Sequence, residues 1–99
     1  MKWDFQTVGF SATDELVDYT REKTEGLLKF WDQIVGAEVY LKLVQDEKNN
    51  TKVAEIKLNI PGNDIYAESQ TESFEKSVNE SIEKLKGQIR KIKTKMNHH

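Results

Sequence analysis

The chain alternates apolar and polar residues from its start. Trp3-Asp4-Phe5-Gln6-Thr7 puts every second side chain on one side of an extended backbone, the pattern of a strand with one buried face. The period then lengthens. Leu16, Thr20, Leu27 and Trp31 fall near one helical face, with Thr24 and Leu28 filling it. Thr13 ahead of Asp14 and Glu15 supplies a hydroxyl cap and an acidic first turn. The spacing predicts a helix over about 14–31, with Gly36 past its end.

From Ala37 the period is two. Val39, Leu41 and Leu43 alternate with Glu38, Tyr40 and Lys42; Ala54, Ile56, Leu58 and Ile60 alternate with Glu55, Lys57 and Asn59. The polar link from Gln45 to Lys52, with Asn49-Asn50 as its turn, makes these an antiparallel hairpin. Pro61-Gly62-Asn63-Asp64 is a turn, since Pro presets one dihedral and Gly or Asn tolerates a positive one. Ile65 to Glu68 reads as a last, short strand. Ser69-Gln70-Thr71-Glu72 has capping-box spacing, with Thr71 the other candidate cap. Phe74, Val78, Ile82, Leu85, Ile89, Ile92 and Met96 then recur at steps of three or four, predicting a helix over about 71–95. The order is β-α-β-β-β-α. One apolar face per strand and one apolar stripe per helix predict a two-layer α+β sandwich, both helices on one face of a four-stranded sheet. The other face would be wet and carry Asp4, Gln6, Tyr40, Lys42, Glu55, Lys57, Asn59 and Tyr66.

Length and composition narrow the chemistry. Ninety-nine residues form one expected domain, 1–99. With no Cys, disulfides and thiolate metal sites are excluded. No apolar run approaches a signal peptide core or a membrane helix, so a soluble, cytoplasmic protein is expected. The two histidines, His98 and His99, sit at the very end and are either a native tail or the stub of a purification tag. No HExxH, P-loop, GxGxxG or GxSxG is present, and the carboxylates fall on predicted solvent faces. An acid–base or covalent mechanism needs groups converging in a dry cleft. The expectation is therefore no enzyme, no catalytic residue, no metal, no cofactor and no small-molecule substrate.

Charge adds the one positive signal. The net charge is −2, yet all acids lie at or before Glu83. Residues 84–99 hold Lys84, Lys86, Arg90, Lys91, Lys93 and Lys95 and no acid, a balance of +6 against −8 for residues 1–83. On a helical wheel Lys84, Gln88, Lys91 and Lys95 line one flank of the apolar seam; Lys86, Arg90 and Lys93 line the other. Bases in a last turn complement the helix dipole, which accounts for Lys91, Lys93 and Lys95 at most. Lys84, Lys86 and Arg90 are left over. Paired basic rails suit a polyphosphate surface, where each cation can release a condensed counterion. Phe30 and Trp31 could stack on bases, although Trp31 shares the face of Leu27 and Leu28. Tyr40 and Tyr66 outline a single-strand platform, but acids surround them.

These residues also resemble a known family. Thr13-Asp14-Glu15-Leu16 and Phe30-Trp31-Asp32-Gln33-Ile34 at the ends of the first helix, Val39-Tyr40-Leu41-Lys42, Ile60-Pro61-Gly62, Tyr66-Ala67-Glu68-Ser69, and Lys84-Leu85-x-x-Gln88-Ile89-Arg90-Lys91-x-Lys93 follow in an order similar to that of the ribosome hibernation-promoting factors and ribosome-associated inhibitors, also called sigma-54 modulation proteins. The resemblance implies the β-α-β-β-β-α fold. It implies binding to 16S rRNA of the small ribosomal subunit, where mRNA and tRNA would sit, and silencing of translation in ribosome hibernation under stress. By position it nominates Lys84, Lys86, Arg90, Lys91 and Lys93 of the last helix, and Lys23 and Lys29 of the first, as rRNA-binding residues. Gly26, Gln33 and Gly87 depart from the pattern, standing where Lys or Arg is expected. A chain ending near residue 99 is expected to be the short form, monomeric off the ribosome and without the C-terminal domain through which long members pair ribosomes.

Two other readings compete. Residues 13–95 share the α-β-β-β-α order of a double-stranded RNA-binding domain, but the extra first strand and the missing basic Gly-Pro loop count against it. A protein-interaction module would instead use the last helix against an acidic protein surface.

Overall fold

Lys2–Val8 alternates exposed and half-buried positions and forms β1. In the computed structural model, which describes residues 1–45 and 50–96, there follow α1 (Asp14–Phe30), β2 (Gly36–Gln45), β3 (Asn50–Asn59), β4 (Ile65–Thr71) and α2 (Phe74–Met96). The sheet order is β1-β2-β3-β4. β1 pairs parallel with β2, and the other two pairs are antiparallel. A parallel pair cannot be closed by a tight turn. The α1 crossover supplies the connection.

The register sorts the sheet into two faces. Phe5, Val39, Ile56 and Ala67 stand side by side in one row across the four strands. Thr7, Leu41, Ala54 and Ser69 form the next inward row; Trp3, Ala37, Leu58 and Ile65 form the third. Leu16 and Leu27 of α1 join the same core as Phe74, Val78, Ile82, Leu85 and Ile89 of α2. Both helices therefore cover one face, as the alternation required.

The two helices run side by side in the same direction. At their starts Phe10 stacks on Phe74 with ring centroids 4.3 Å apart, and the Tyr19 hydroxyl donates to the Glu75 carbonyl at 3.5 Å. At their ends the Lys93 ammonium donates to the Phe30 carbonyl at 3.3 Å. Small hydroxyl residues set the distance from α2 to the sheet. Ser77 and Ser81 are fully buried; they donate to the β3 carbonyls of Lys52 at 2.6 Å and Ala54 at 3.0 Å. A carbonyl has two lone pairs, so it can accept these bonds in addition to its ladder bond. In α1, buried Thr20 and Thr24 donate to the carbonyls four residues back, both at 2.7 Å. That pairing lets threonine fill an otherwise apolar face.

Three boundaries differ from the sequence reading. β3 begins at Asn50, inside the expected polar link, because Gln45 pairs with Asn50 and Val44 with Thr51. Ladder bonds need backbone rather than apolar side chains, so polarity hid these rungs. Asn50 is thus strand and not turn, and Asn49 lies outside the described residues. β4 runs on to Thr71 instead of stopping at Glu68, and α2 starts at Phe74, not near 71. The cap is neither Ser69 nor Thr71. Ser69 is a core-facing strand residue, and Ser73 caps the helix: its carbonyl accepts from the Ser77 amide at 3.0 Å and its hydroxyl from the Lys76 amide at 3.2 Å. Thr71 braces that cap by donating to the Ser73 carbonyl at 2.7 Å. The turn after β3 holds, with Gly62 at a φ of 95°.

Leu85 is fully buried between α2 and the sheet. Leu85→Ala is expected to cost about 2–5 kcal/mol. Urea unfolding should show a lower midpoint with an unchanged slope. A loss below about 1 kcal/mol would show that this contact is not where stability resides.

Candidate nucleic-acid interface

Charge is arranged differently on the two layers. On the open sheet face Glu38, Glu55 and Glu68 are engaged. Lys42 pairs with Glu55. The Tyr66 hydroxyl lies 2.7 Å from Glu55 and 2.9 Å from Glu68, sharing its one proton between two carboxylates. Lys57 lies 3.4 Å from Glu38 and 3.7 Å from Asp64. The Asn59 amide donates to Glu38 at 3.1 Å. Lys42, through its hydrogen bond, holds the Glu55 carboxyl below the usual carboxylate range. Glu55 in turn raises Lys42. Desolvation first, then the neighbouring Glu55 and Glu68, push the Tyr66 phenol up. A phenol engaged this way is a poor stacking platform, and an acidic surround repels phosphate. The structure thus argues against this face as the nucleic-acid side.

In the helical layer the bases run along the C-terminal half of α2, on two unlike flanks. Toward β4, Lys84 donates to the Glu68 carbonyl at 2.6 Å, and Gln88 to the Tyr66 carbonyl at 2.7 Å. β4 is an edge strand, so these carbonyls lack a neighbouring strand, and the two side chains close part of the edge. Lys91 lies exposed farther along α2. Toward α1, Lys86, Arg90 and Lys93 gather around one ring. Their cationic groups stand 5.9, 5.4 and 5.1 Å from the centroid of Phe30. Lys23 leans over Tyr19 at 5.6 Å. Lys23, Lys29 and Lys86 line one groove between the helices. Five of the seven nominated residues therefore come together along the α1 side of α2; Lys84 and Lys91 do not join them. Among the described residues, Lys86 alone of the seven has a carboxylate within ion-pair distance, Glu83 at 3.5 Å.

Phe30 and Trp31 are both half-buried against the core. Phe30 acts as the hub of the basic cluster, a role the sequence reading did not assign. Only the predicted antiparallel or parallel sense of the helices could have revealed it, because the hub needs both C-termini together. The edge-closing role of Gln88 was also missed. Its signal was the four-residue step from Lys84 on the flank that faces the last strand.

The molecule is thus a β-α-β-β-β-α sandwich with an ion-paired sheet face and a run of bases along the C-terminal half of α2. The chain belongs to the family described as Sigma 54 modulation protein / S30EA ribosomal protein, which it matches over residues 4–97. It is 34% identical over 86 residues to the ribosome hibernation promotion factor of Deinococcus radiodurans, an alignment covering 85% of this chain and 44% of that protein. The chain thus spans less than half the length of that relative. Its fold is similar to that of a ribosomal subunit interface protein from Coxiella burnetii, with a TM-score of 0.82, 20% identity, and coverage of 95% of this chain and 99% of that one. The N-terminal domain of Thermus thermophilus Protein Y superposes with a TM-score of 0.79 at 22% identity, covering 93% and 99% of the two chains.

The sheet-face network predicts a pH signature. Glu55 is depressed from its ordinary 4.5, so its contribution is present above that value and lost as pH falls through the folded pKa. Lys42 and Tyr66 are raised from 10.5 and 10.0, so theirs is present below those values and lost as pH rises through the folded ones. Glu55→Gln should lower the melting temperature by a constant amount between about pH 6 and 9, and the deficit should shrink below about pH 4. A deficit independent of pH down to about pH 2 would show that the carboxylate charge plays no part.

Proposed function

We propose that this chain binds the small ribosomal subunit through 16S rRNA, in the channel that mRNA and tRNA use, and silences translation by occupying it. The observation that carries the reading is the segregation of charge. Lys23, Lys29, Lys86, Arg90 and Lys93 converge on one side of the helical layer, while Glu38 and Glu55 of the sheet face are paired with Lys57 and Lys42 opposite them. A net charge of −2 does not prevent this, because salt confines each field to about 10 Å. The names of the relatives point the same way. On this reading the chain acts in the cytoplasm as one ribosome-binding domain, and no chemistry is required of it. Lys91 adds a peripheral phosphate contact. Lys84 serves the β4 edge first and rRNA second, so it is a poor probe of binding alone.

The test uses bases whose removal leaves the fold alone. The side chains of Lys29, Arg90 and Lys91 make no hydrogen bond or ion pair among the described residues; only the Arg90 carbonyl accepts one from a side chain, the Thr94 hydroxyl. Lys29→Glu/Arg90→Glu/Lys91→Glu should keep a native far-UV circular dichroism spectrum and bind small subunits at least about tenfold more weakly in sucrose gradients. Wild-type binding should fall steeply with salt, the logarithmic slope dropping by roughly 0.7–0.9 for each phosphate contact removed. In toeprinting, saturating wild-type protein should block initiation-complex formation, and excess mRNA and initiation factors should relieve the block by mass action. Intact initiation complexes at saturation would overturn the reading.

A further inference from the structure

The two edges of the sheet are finished differently. At β4, Lys84 and Gln88 bond the outward carbonyls of Glu68 and Tyr66. β1 has no such cover. The Lys2 amide bonds the Val35 carbonyl, on the β2 side. That sets the phase of the parallel ladder. Lys2, Asp4, Gln6 and Val8 turn their backbone groups to β2, and Trp3, Phe5 and Thr7 turn theirs outward. No hydrogen bond among the described residues reaches those outward groups. The side chains of Trp3, Phe5 and Thr7 face the helical layer but are only half-buried, whereas Ala67 and Ser69 of β4 are buried. β1 also lacks the usual guards of an open edge. It has no proline, no bulge and no inward-pointing charge.

An open edge accepts another strand, and this edge fits itself. Its outward residues, Trp3, Phe5 and Thr7, are symmetric about Phe5. An antiparallel copy with Phe5 opposite Phe5 puts Trp3 opposite Thr7, and every outward N–H and C=O of both strands is then paired. Charge selects the same register. Asp4 stands opposite Gln6 and Lys2 opposite Val8, so no like charges face each other. Centring the pair on Asp4 would oppose two carboxylates. Centring it on Trp3, Gln6 or Thr7 would leave outward groups unmatched. On the helical side, Arg21 lies 5.2 Å from the Trp3 ring centroid and pairs with Glu25 at 2.7 Å. The edge therefore offers no excess of positive charge to a polyanion, and no charge that repels its own copy.

We propose that the β1 edge is a self-association site, at which a second copy of this chain adds antiparallel and joins the two sheets into one. The contact is short. Seven residues span about 23 Å, which keeps the buried area below the roughly 1,200 Å² of a stable interface. A dissociation constant on the order of 0.1–1 mM is expected. On this reading the monomer expected off the ribosome is the dilute form. Tyr19 and Phe30 face α2 from the other side of α1, so pairing at β1 leaves the basic cluster open. The inference stands or falls apart from the ribosome-binding reading.

Sedimentation equilibrium of the full chain from about 10 μM to about 2 mM should follow a monomer–dimer equilibrium. By NMR, amide exchange at Trp3, Phe5 and Thr7 should slow as concentration rises. Asp4 and Gln6, already bonded to β2, should not change. Thr7→Pro removes an outward N–H without touching the β2 ladder, a place where an edge strand tolerates proline. It should keep a native circular dichroism spectrum and weaken association at least about tenfold. Gln6→Lys sets an ammonium opposite Asp4 twice per dimer and should strengthen association about two- to tenfold, a gain lost in high salt. A synthetic peptide of residues 2–8 should slow the same three amides. A chain that stays monomeric throughout overturns the proposal. So does association that leaves those three amides unprotected or that a folded Thr7→Pro protein retains in full. Unchanged or weaker association of Gln6→Lys overturns the register, and the amides and this variant decide alone if Thr7→Pro does not fold. A scrambled peptide that protects the amides equally well overturns recognition of self.

Discussion

The position of α2 along β3 and β4 constrains most of what the molecule can do. Its apolar seam, from Phe74 through Val78, Ile82, Leu85 and Ile89, is buried. A seam of that length fixes the rotation of the helix about its axis. Once the rotation is fixed, the flanks have no freedom. One must face the β4 edge, and the other must face α1. Ser77 and Ser81 reinforce the choice, because their buried hydroxyls reach β3 carbonyls in this rotation, and for Ser81 losing that partner would cost about 1–3 kcal/mol. The same packing that makes the core therefore also decides where each base of α2 points.

The division of labour between the flanks follows from backbone accounting. β4 is an edge, and half its carbonyls face outward with no strand to pair them. Lys84 and Gln88 answer that need. β1, the other edge, joins β2 in parallel through the α1 crossover, so the α1 side of α2 meets a helix and not a strand edge. Helix–helix contact leaves no unpaired backbone along its length, so on that flank only Lys93 bonds a carbonyl, that of Phe30 at the end of α1. The exposed pairs of the sheet face contribute little to stability individually, since solvent screens them. Their larger effect is on the field: Glu38 and Glu55 are matched by Lys57 and Lys42, so the acids of that face project less potential toward the helical layer.

Much of this was legible in the residues. Period-two and period-3.6 apolar spacing was enough for the order of elements, for the one-sided packing, and for the two basic rails, because each of these depends on local patterning. The ends of β3 and β4 were not legible. Asn50, Thr51, Ser69 and Thr71 are polar, and their strand pairing comes from backbone bonds across the sheet, which no local pattern carries. The cap at Ser73 was hidden for a related reason. Four hydroxyl residues lie between 69 and 77, and only the path of β4 decides which of them stands at the helix start. For the site, residue types and rails could be read, but their separation into an edge-closing pair and a cluster with α1 is tertiary.

The cluster around Phe30 raises the question of why three cations share one place when they repel each other. At a separation of about 7 Å in water, two unit charges cost about 0.6 kcal/mol. Three local terms oppose this. The face of an aromatic ring attracts a cation by about 0.5–1 kcal/mol at an exposed site, and Lys86, Arg90 and Lys93 all stand within 6 Å of the Phe30 centroid. Phe30 is also the last residue of α1, where the helix dipole is negative and favours a cation by about 0.3–1 kcal/mol. Its carbonyl, one of those without a helical partner, accepts the Lys93 ammonium. These gains are of the same size as the repulsion, so the cluster can be held together without a net loss of stability. A cluster already assembled then has its repulsion relieved only when an anion arrives. That is the condition under which pre-positioned charge contributes to binding instead of to the fold, and it depends on the parallel sense of the helices. Were α1 and α2 antiparallel, the bases of α2 would meet the first turn of α1, where Asp14 and Glu15 would pair with them and leave less of their charge for an outside anion.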